Sequence, residues 1–410
     1  MMQDGNWKAA LVVAIVMAAN PLAFGGFFEF GERPLGSEAN RQASVYLAAE
    51  AQRMGYEVER LPFKCPRWDG RASFIERDGV RITVRPSPFS SSFDQWCEAV
   101  MVDSTQQLKR TRCDGKLVFL RGTIAKEPLM PRDFPFYFPD AHREIYALLD
   151  ERKPAAIMAI TGKHPASGLE PFPLIDDANF KIPSGYLDQA SMDRIMTGKG
   201  KIRLMLDSRV FPETGEQVVA TKKAVGESRG KIALFAHMDS AYGTPGALDN
   251  AAGVAVLLAA MEKLKNYAGP YDLEFIPFNG EDSSMVKGQL AYLEQHRKEM
   301  GDIRLGINVD AVGAKGSLAA VSTYNLDAER QAWLDERMSG YERIERGPEW
   351  VEGDHSIFVF QGVPCLAVTS SNLREGVMAV SHTSADTLDG VERELLVETA
   401  DFIAELVNGF

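Results

Sequence analysis

What the chain has little of narrows its chemistry first. It carries no apolar run of the ~20 residues that a membrane-spanning helix needs. The nearest candidate, Ala9 to Ala19, stops well short of that. Asp4 and Lys8 precede this run and no small-x-small cleavage site follows it. It therefore reads as the buried first helix of a cytoplasmic protein, with the h-region of an export signal as the alternative. Cysteine is sparse: Cys65, Cys97, Cys113 and Cys365 share no CxxC spacing. That argues against a thiolate metal site and for four buried or free thiols, a disulfide among the first three being the alternative. Positive charge is short, and a formal net charge of -12 speaks against a nucleic-acid partner, which would want a basic face. Histidine is scarce as well, with 6 in 410 residues, so the context of each one matters.

What is present is ordinary for a globular chain: 45% hydrophobic and 25% charged residues, enough for one large domain or two. Ser37 is a good N-cap for a helix over 38–54, and Gly55 a good stop. A strand over 56–61 follows. From about Phe63 the texture changes to dense proline and glycine with short β-type runs at 81–84, 99–102 and 116–120. The aromatic, proline-rich stretch 130–139 reads as a loop or lid, 183–187 as turn-like, and 201–207 alternates again. This predicts an inserted, mainly β domain over 63–207, with the remaining 1–62 and 208–410 forming the main domain. After Arg209 strands and helices alternate: strands over 218–221, 232–236, 273–278, 303–309 and 363–368, helices over 251–267, 286–298, 328–339 and a last one around 395–406. The expected fold class is α/β, a mixed, largely parallel central sheet flanked by helices on both faces.

Ligands of open α/β sheets bind beyond the carboxyl ends of the strands. Three predicted strands end there in metal-type residues. The first runs into His237 and Asp239, and Asp249 follows at a helix start. The second runs into Asn279, Gly280, Glu281 and Asp282, and the third into Asp310. His382 lies in the polar loop VSHTSADT. Carboxylates stacked at strand ends repel and resist desolvation unless a counter-charge is present, and a divalent cation supplies one. Asp249 also suits a plain helix N-cap, and the two roles are compatible.

Taken together, HMD at 237–239, ALDN at 247–250, FNGED at 278–282, NVDAVG at 308–313, GDHSIF at 353–358 and SHTSADT at 381–387 resemble the zinc peptidases of metallopeptidase family twenty-eight. That group includes bacterial leucyl aminopeptidases, glutamate carboxypeptidase II and the glutaminyl cyclases. The resemblance covers about 30–62 and 208–410. The insert is similar in position and texture to the protease-associated domain of many members.

The resemblance implies two zinc ions bridged by Asp249, with His237 and Asp310 completing one and Asp282 and His382 the other. It implies Glu281 as general base, Asp239 as the residue that fixes the His237 tautomer, and a cis peptide between Asp249 and Asn250. Asp354 and His355 would shape the substrate pocket or support the structure, and Asp386 would support the His382 loop or only form a turn. One departure stands out: relatives usually have glutamate where this chain has the shorter Asp282. The implied activity is that of an exopeptidase acting on peptides, foremost an aminopeptidase. A carboxypeptidase, a cyclase or a non-catalytic binding module on the same scaffold are the alternatives. The pocket is expected near 320–326, 354–358 and 370–380, with the insert's loops. His142, His164 and His296 lack carboxylate company in the sequence and read as non-functional.

Overall fold

The computed structural model describes residues 26–132, 134, 138–165, 169–283, 285–350 and 353–410. The run 9–19, read above as a first helix, lies outside the described residues, as does part of the stretch 130–139. Among the described residues, sixteen strands form two eight-stranded sheets. In chain order they are β1 (Glu57–Gly70), β2 (Ser73–Arg77), β3 (Val80–Pro86), β4 (Phe93–Cys97), β5 (Ala99–Val102), β6 (Leu117–Leu120), β7 (Ala156–Ile160) and β8 (Ser184–Leu187). Then come β9 (Ile202–Leu206), β10 (Ser208–Lys222), β11 (Lys231–His237), β12 (Asp272–Phe278), β13 (Ile303–Val309), β14 (Ala319–Tyr324), β15 (Ile344–Arg346) and β16 (Cys365–Ser370).

The first sheet has the order β1-β10-β12-β11-β13-β16-β14-β15. Its four middle strands, β12, β11, β13 and β16, are parallel, and antiparallel pairs flank them. β12 is buried along its whole length and β11 at all but its first residue. That is the pattern of strands covered on both faces, and it explains why they read as continuous apolar runs. One face packs on the helices Ala252–Leu264 and Arg393–Gly409. The other packs on Lys287–His296 and the short helix Ser356–Val359, where Phe235 stacks on Phe358 with ring centroids 4.5 Å apart. The helix over 38–53 starts as predicted: the Ser37 hydroxyl accepts the Asn40 N–H at 3.1 Å.

The second sheet, β4-β9-β2-β3-β8-β7-β6-β5, is built wholly from residues 73–206. Its β5 to β8 are parallel, and it carries its own apolar clusters and the helices Thr105–Arg110, Asp140–Arg152 and Gln189–Met196. Two local readings differ from the structure. The segment read as turn-like at 183–187 is β8, paired in parallel with β7. The strand expected over 56–61 continues to Gly70, and β1 and β10 pair without a break from Glu57↔Thr221 to Gly70↔Ser208. A 14-residue antiparallel ribbon thus leads out of the first sheet to the second. All four cysteines are free and buried, as expected. No helix among the described residues is long and apolar enough to cross a membrane.

Candidate metal centre

The parallel arrangement brings the carboxyl ends of β11, β12, β13 and β16 to one edge, where the predicted ligands meet. His237 ends β11 and is buried. Its Nε2 lies 3.1 Å from Asp249 Oδ1 and 3.4 Å from Asp310 Oδ1. His382 Nε2 lies 3.3 Å from Asp249 Oδ2 and 2.9 Å from Asp282 Oδ1. The two oxygens of one carboxylate, Asp249, therefore face two different imidazoles, each with a further aspartate beside it. Donor atoms of His237, Asp249 and Asp310 converge within 4.8 Å of one another, and so do those of Asp249, Asp282 and His382. The Glu281 carboxylate joins His237 and Asp282 in a third such group.

Backbone geometry presents these groups. Asp249 and Asn250 depart from helical angles and are joined by the expected cis peptide. The Asn250 side chain donates to the Val309 carbonyl at 2.9 Å and accepts from Gly253 N at 2.9 Å, tying this loop to the end of β13. Gly253 is required there, because a Cβ would sit 2.2 Å from Asn250 Oδ1 and 2.4 Å from the Val309 carbonyl. Asp386 accepts from Leu248 N at 2.7 Å and Asp249 N at 3.1 Å, so it anchors Asp249. Asp239, fully buried, accepts from Gly280 N at 2.8 Å and Glu281 N at 3.1 Å, and its Oδ1 stands 3.7 Å from His237 Nδ1. It therefore holds the acidic turn and faces the imidazole nitrogen that points away from the other donors. Ala241 N donates to Asp282 Oδ2 at 2.8 Å, which leaves Oδ1 for His382. Asp354 is buried behind the site and accepts from Gln289 at 2.6 Å. His355 packs between Trp350 and Tyr324, with Nδ1 3.3 Å from Asn308, and it belongs to the supporting layer.

Three residues that no local motif announced complete the surroundings. Arg33 is wholly buried and grips the loop between His237 and Asp249. Its guanidinium donates to the carbonyls of Gly31, Met238, Pro245 and Gly246 at 2.7 to 2.9 Å. Burial lowers its pKa to about 10 even though Asp239, Asp282, Asp249 and Asp386 favour its charge. From the second sheet's side, the charges of Asp176 and His164 both interact with His382. Neither residue sits in a motif, and His164 was set aside above for want of a neighbouring carboxylate.

Electrostatics tells which ions this pocket wants. Burial, then the neighbouring acids Asp282, Asp310 and Asp354, pushes Glu281 well above the usual carboxylate range against the pull of His237. Burial likewise raises Asp354 to about 7 and Asp386 to about 6. Asp249 moves the other way: burial opposes its charge, but the hydrogen bonds of His237 and His382 hold it well below the ordinary value. Burial works against protonation of both histidines, yet the carboxylates around them raise His237 and His382 well above theirs. Without a cation the site must keep protons it would otherwise release. Nitrogen and oxygen donors converging in groups of three, with excess negative charge, are what zinc takes. The donor set therefore fits a divalent ion. Another convergent group, Glu274, His296 and Glu299, lies elsewhere and already has its cation, because Lys231 is paired with both Glu274 and Glu299.

A mixed sheet with two imidazoles and a ring of buried carboxylates at the carboxyl edge of its parallel strands defines a fold of the zinc-exopeptidase kind. Residues 217–407 match the sequence model of peptidase family M28. The chain is 24% identical over 204 residues to aminopeptidase YwaD of Bacillus subtilis (strain 168). That match takes in 48% of this chain and 44% of the relative, so it spans less than half of the curated protein's length. Among solved structures, the aminopeptidase from Aneurinibacillus sp. strain AM-1 superposes with a TM-score of 0.69 at 20% identity, over 98% of this chain and 92% of that one. BSAP, a zinc aminopeptidase from Bacillus subtilis, gives 0.71 at 18% identity, over 98% and 94%. These likenesses extend through both sheets and concern the fold.

Proposed function

We propose that the chain is a two-zinc exopeptidase that removes N-terminal residues from peptides. The observation that carries this reading is Asp249, whose Oδ1 lies by His237 and whose Oδ2 lies by His382. Such a bridge would place one ion with His237 and Asp310 and the other with Asp282 and His382. When bound, such a metal pair supplies an acidified water and an electrophile for the scissile carbonyl. Glu281 is not needed as a ligand in either three-residue set, so its carboxylate is left to take a proton from that water and return it to the leaving amine. Burial already favours the proton on this residue. Asp239 holds the Glu281 backbone and stands beside the His237 ring, and Arg33 and Asp386 hold the Asp249 loop. Asp282, though a methylene shorter than glutamate, still reaches His382 at 2.9 Å. We further assign 63–207 as an inserted, protease-associated-like unit that forms one wall of the approach to the site.

The test is a metal count per chain together with cleavage of matched peptides carrying free or acetylated N-termini. Two zinc ions and turnover of the free peptides alone are the expected result. Equal cleavage of both would overturn the aminopeptidase assignment and favour an enzyme that reads another part of the substrate. Stoichiometric metal without any hydrolysis would favour a binding module.

A further inference from the structure

A cleft of about 900 Å³ is lined by residues of the second layer and of the ribbon that leads to it. Pro131, Asp176 and Lys181 of the second layer face Phe211 of the ribbon and Met285 and Lys287 across it. Val286, between Met285 and Lys287, donates its N–H to the Gly280 carbonyl at 3.0 Å, which ties this wall to the acidic turn. Asp176 follows Ile175, which the bridge to Leu129 fixes in place. Its neighbour Asp177 is satisfied: that carboxylate accepts from Arg132 N and Nε at 3.1 and 3.2 Å and from Asn179 N at 2.7 Å. Asp176 is not. Its Oδ1 is buried and has no hydrogen-bond partner among the described residues. A buried carboxylate oxygen without a donor is costly and calls for a ligand that supplies one.

The direction in which Asp176 acts is constrained from two sides. It interacts with the charges of His382 and Asp282 at the metal centre. It also interacts with the hydroxyl of Tyr242, which belongs to the loop between His237 and Asp249 and accepts from Trp68 N at 3.1 Å. Burial raises its carboxyl to about 7; His382 pulls against that rise, and Asp177 and Asp282 add to it. A cationic hydrogen-bond donor arriving from the cleft would meet both needs, partner and counter-charge. A peptide that presents its first scissile carbonyl to the metal centre carries such a group on the same residue, the ammonium on the adjoining Cα.

We propose that Asp176 binds the protonated N-terminal amine of the substrate, so that the second layer supplies a carboxylate that selects free N-termini. The inference rests on the aminopeptidase reading and adds a specificity residue to it. A charge-assisted hydrogen bond of this kind changes binding by about 10- to 100-fold.

The experiment uses the zinc-loaded full chain and leucine 4-nitroanilide as substrate. Leucine amide and 4-methylpentanamide, which differ by the amine alone, serve as competitive inhibitors. In the Asp176→Asn variant KM should rise about 10- to 100-fold with kcat within about threefold, and the preference for leucine amide should vanish. Asp176→Glu should recover part of it, with zinc per chain unchanged in both. An unaltered KM and preference in Asp176→Asn would overturn the proposal. So would a fall in kcat or zinc content with the amine preference intact, which marks a structural role. If the wild-type chain itself shows no preference for leucine amide, the aminopeptidase reading fails first and the proposal with it.

Discussion

Asp239 offers a way to separate charge from hydrogen bonding at the centre. It touches no substrate, yet its Oδ1 receives two backbone N–H groups, from Gly280 and Glu281, and faces His237 Nδ1. In Asp239→Asn the amide oxygen can still accept both N–H groups. What is lost is the negative charge behind the imidazole. Removing one buried charge from a crowd of carboxylates also relieves repulsion, so the metal-free stability should change by less than about 1 kcal/mol. Metal affinity should fall about 10- to 100-fold, the usual cost of removing the carboxylate that polarises a ligating histidine. In Asp239→Ala both N–H groups are left buried without a partner, at about 1–3 kcal/mol each. That variant should lose about 2–6 kcal/mol of stability and, with the Glu281 backbone released, most of its turnover. Zinc titration against a competing chelator, denaturant melts of the metal-free protein and kcat at saturating zinc read the three quantities separately. Asp239→Asn binding zinc as tightly as the wild type would refute the reasoning. So would Asp239→Ala proving as stable as Asp239→Asn.

Other substitutions test the remaining parts. Glu281→Gln should keep both metals and lose turnover by at least about 10²-fold, the scale of general-base catalysis, as measured by metal analysis beside steady-state rates. Arg33→Met leaves three carbonyls of the loop between His237 and Asp249, and that of Gly31, without their donor and removes a buried cation among carboxylates; a loss of about 3–5 kcal/mol is expected in urea melts. Asp354 and Asp386, raised to about 7 and about 6, keep protons that the unfolded chain has already released, so they favour the fold less as pH climbs from the ordinary carboxylate range through 6–7. His237 and His382, also raised, act in the same sense. Chelator-treated protein should therefore melt at a lower temperature at pH 8 than at pH 5, Asp354→Asn should flatten that slope, and added zinc should stabilise more at pH 8. A flat metal-free profile would contradict the assigned protonation.

The order of local patterns along the chain carried most of the candidate site. His237, Asp239, Glu281, Asp282 and Asp310 sit at the ends of strands whose apolar runs are unmistakable, because both faces of a parallel sheet are buried. Strand end and proposed ligand are adjacent in sequence, so the periodicity that reveals the strand also locates the candidate side chain. Asp249 and His382 required the family resemblance, since their loops have no period. Arg33 had no signal at all: it lies in GERPLGS, and its partners are residues about 205 to 213 positions away as well as its neighbour Gly31. Asp176 was equally silent, because a carboxylate beside a second carboxylate in a loop looks solvated until the cleft around it is seen. In the second layer β8 was missed because it spans only four residues and contains Gly185, where a Cβ would lie 2.8 Å from the Arg85 carbonyl. Its extended form depends on β7 beside it and not on its own side chains. The sequence by itself thus determined the central strands and the chemical types gathered at their ends. Only the tertiary structure decided which oxygen of Asp249 meets which histidine, what holds the ligand loops, and which second-layer groups face the centre, because those contacts join residues whose own segments carry no trace of one another.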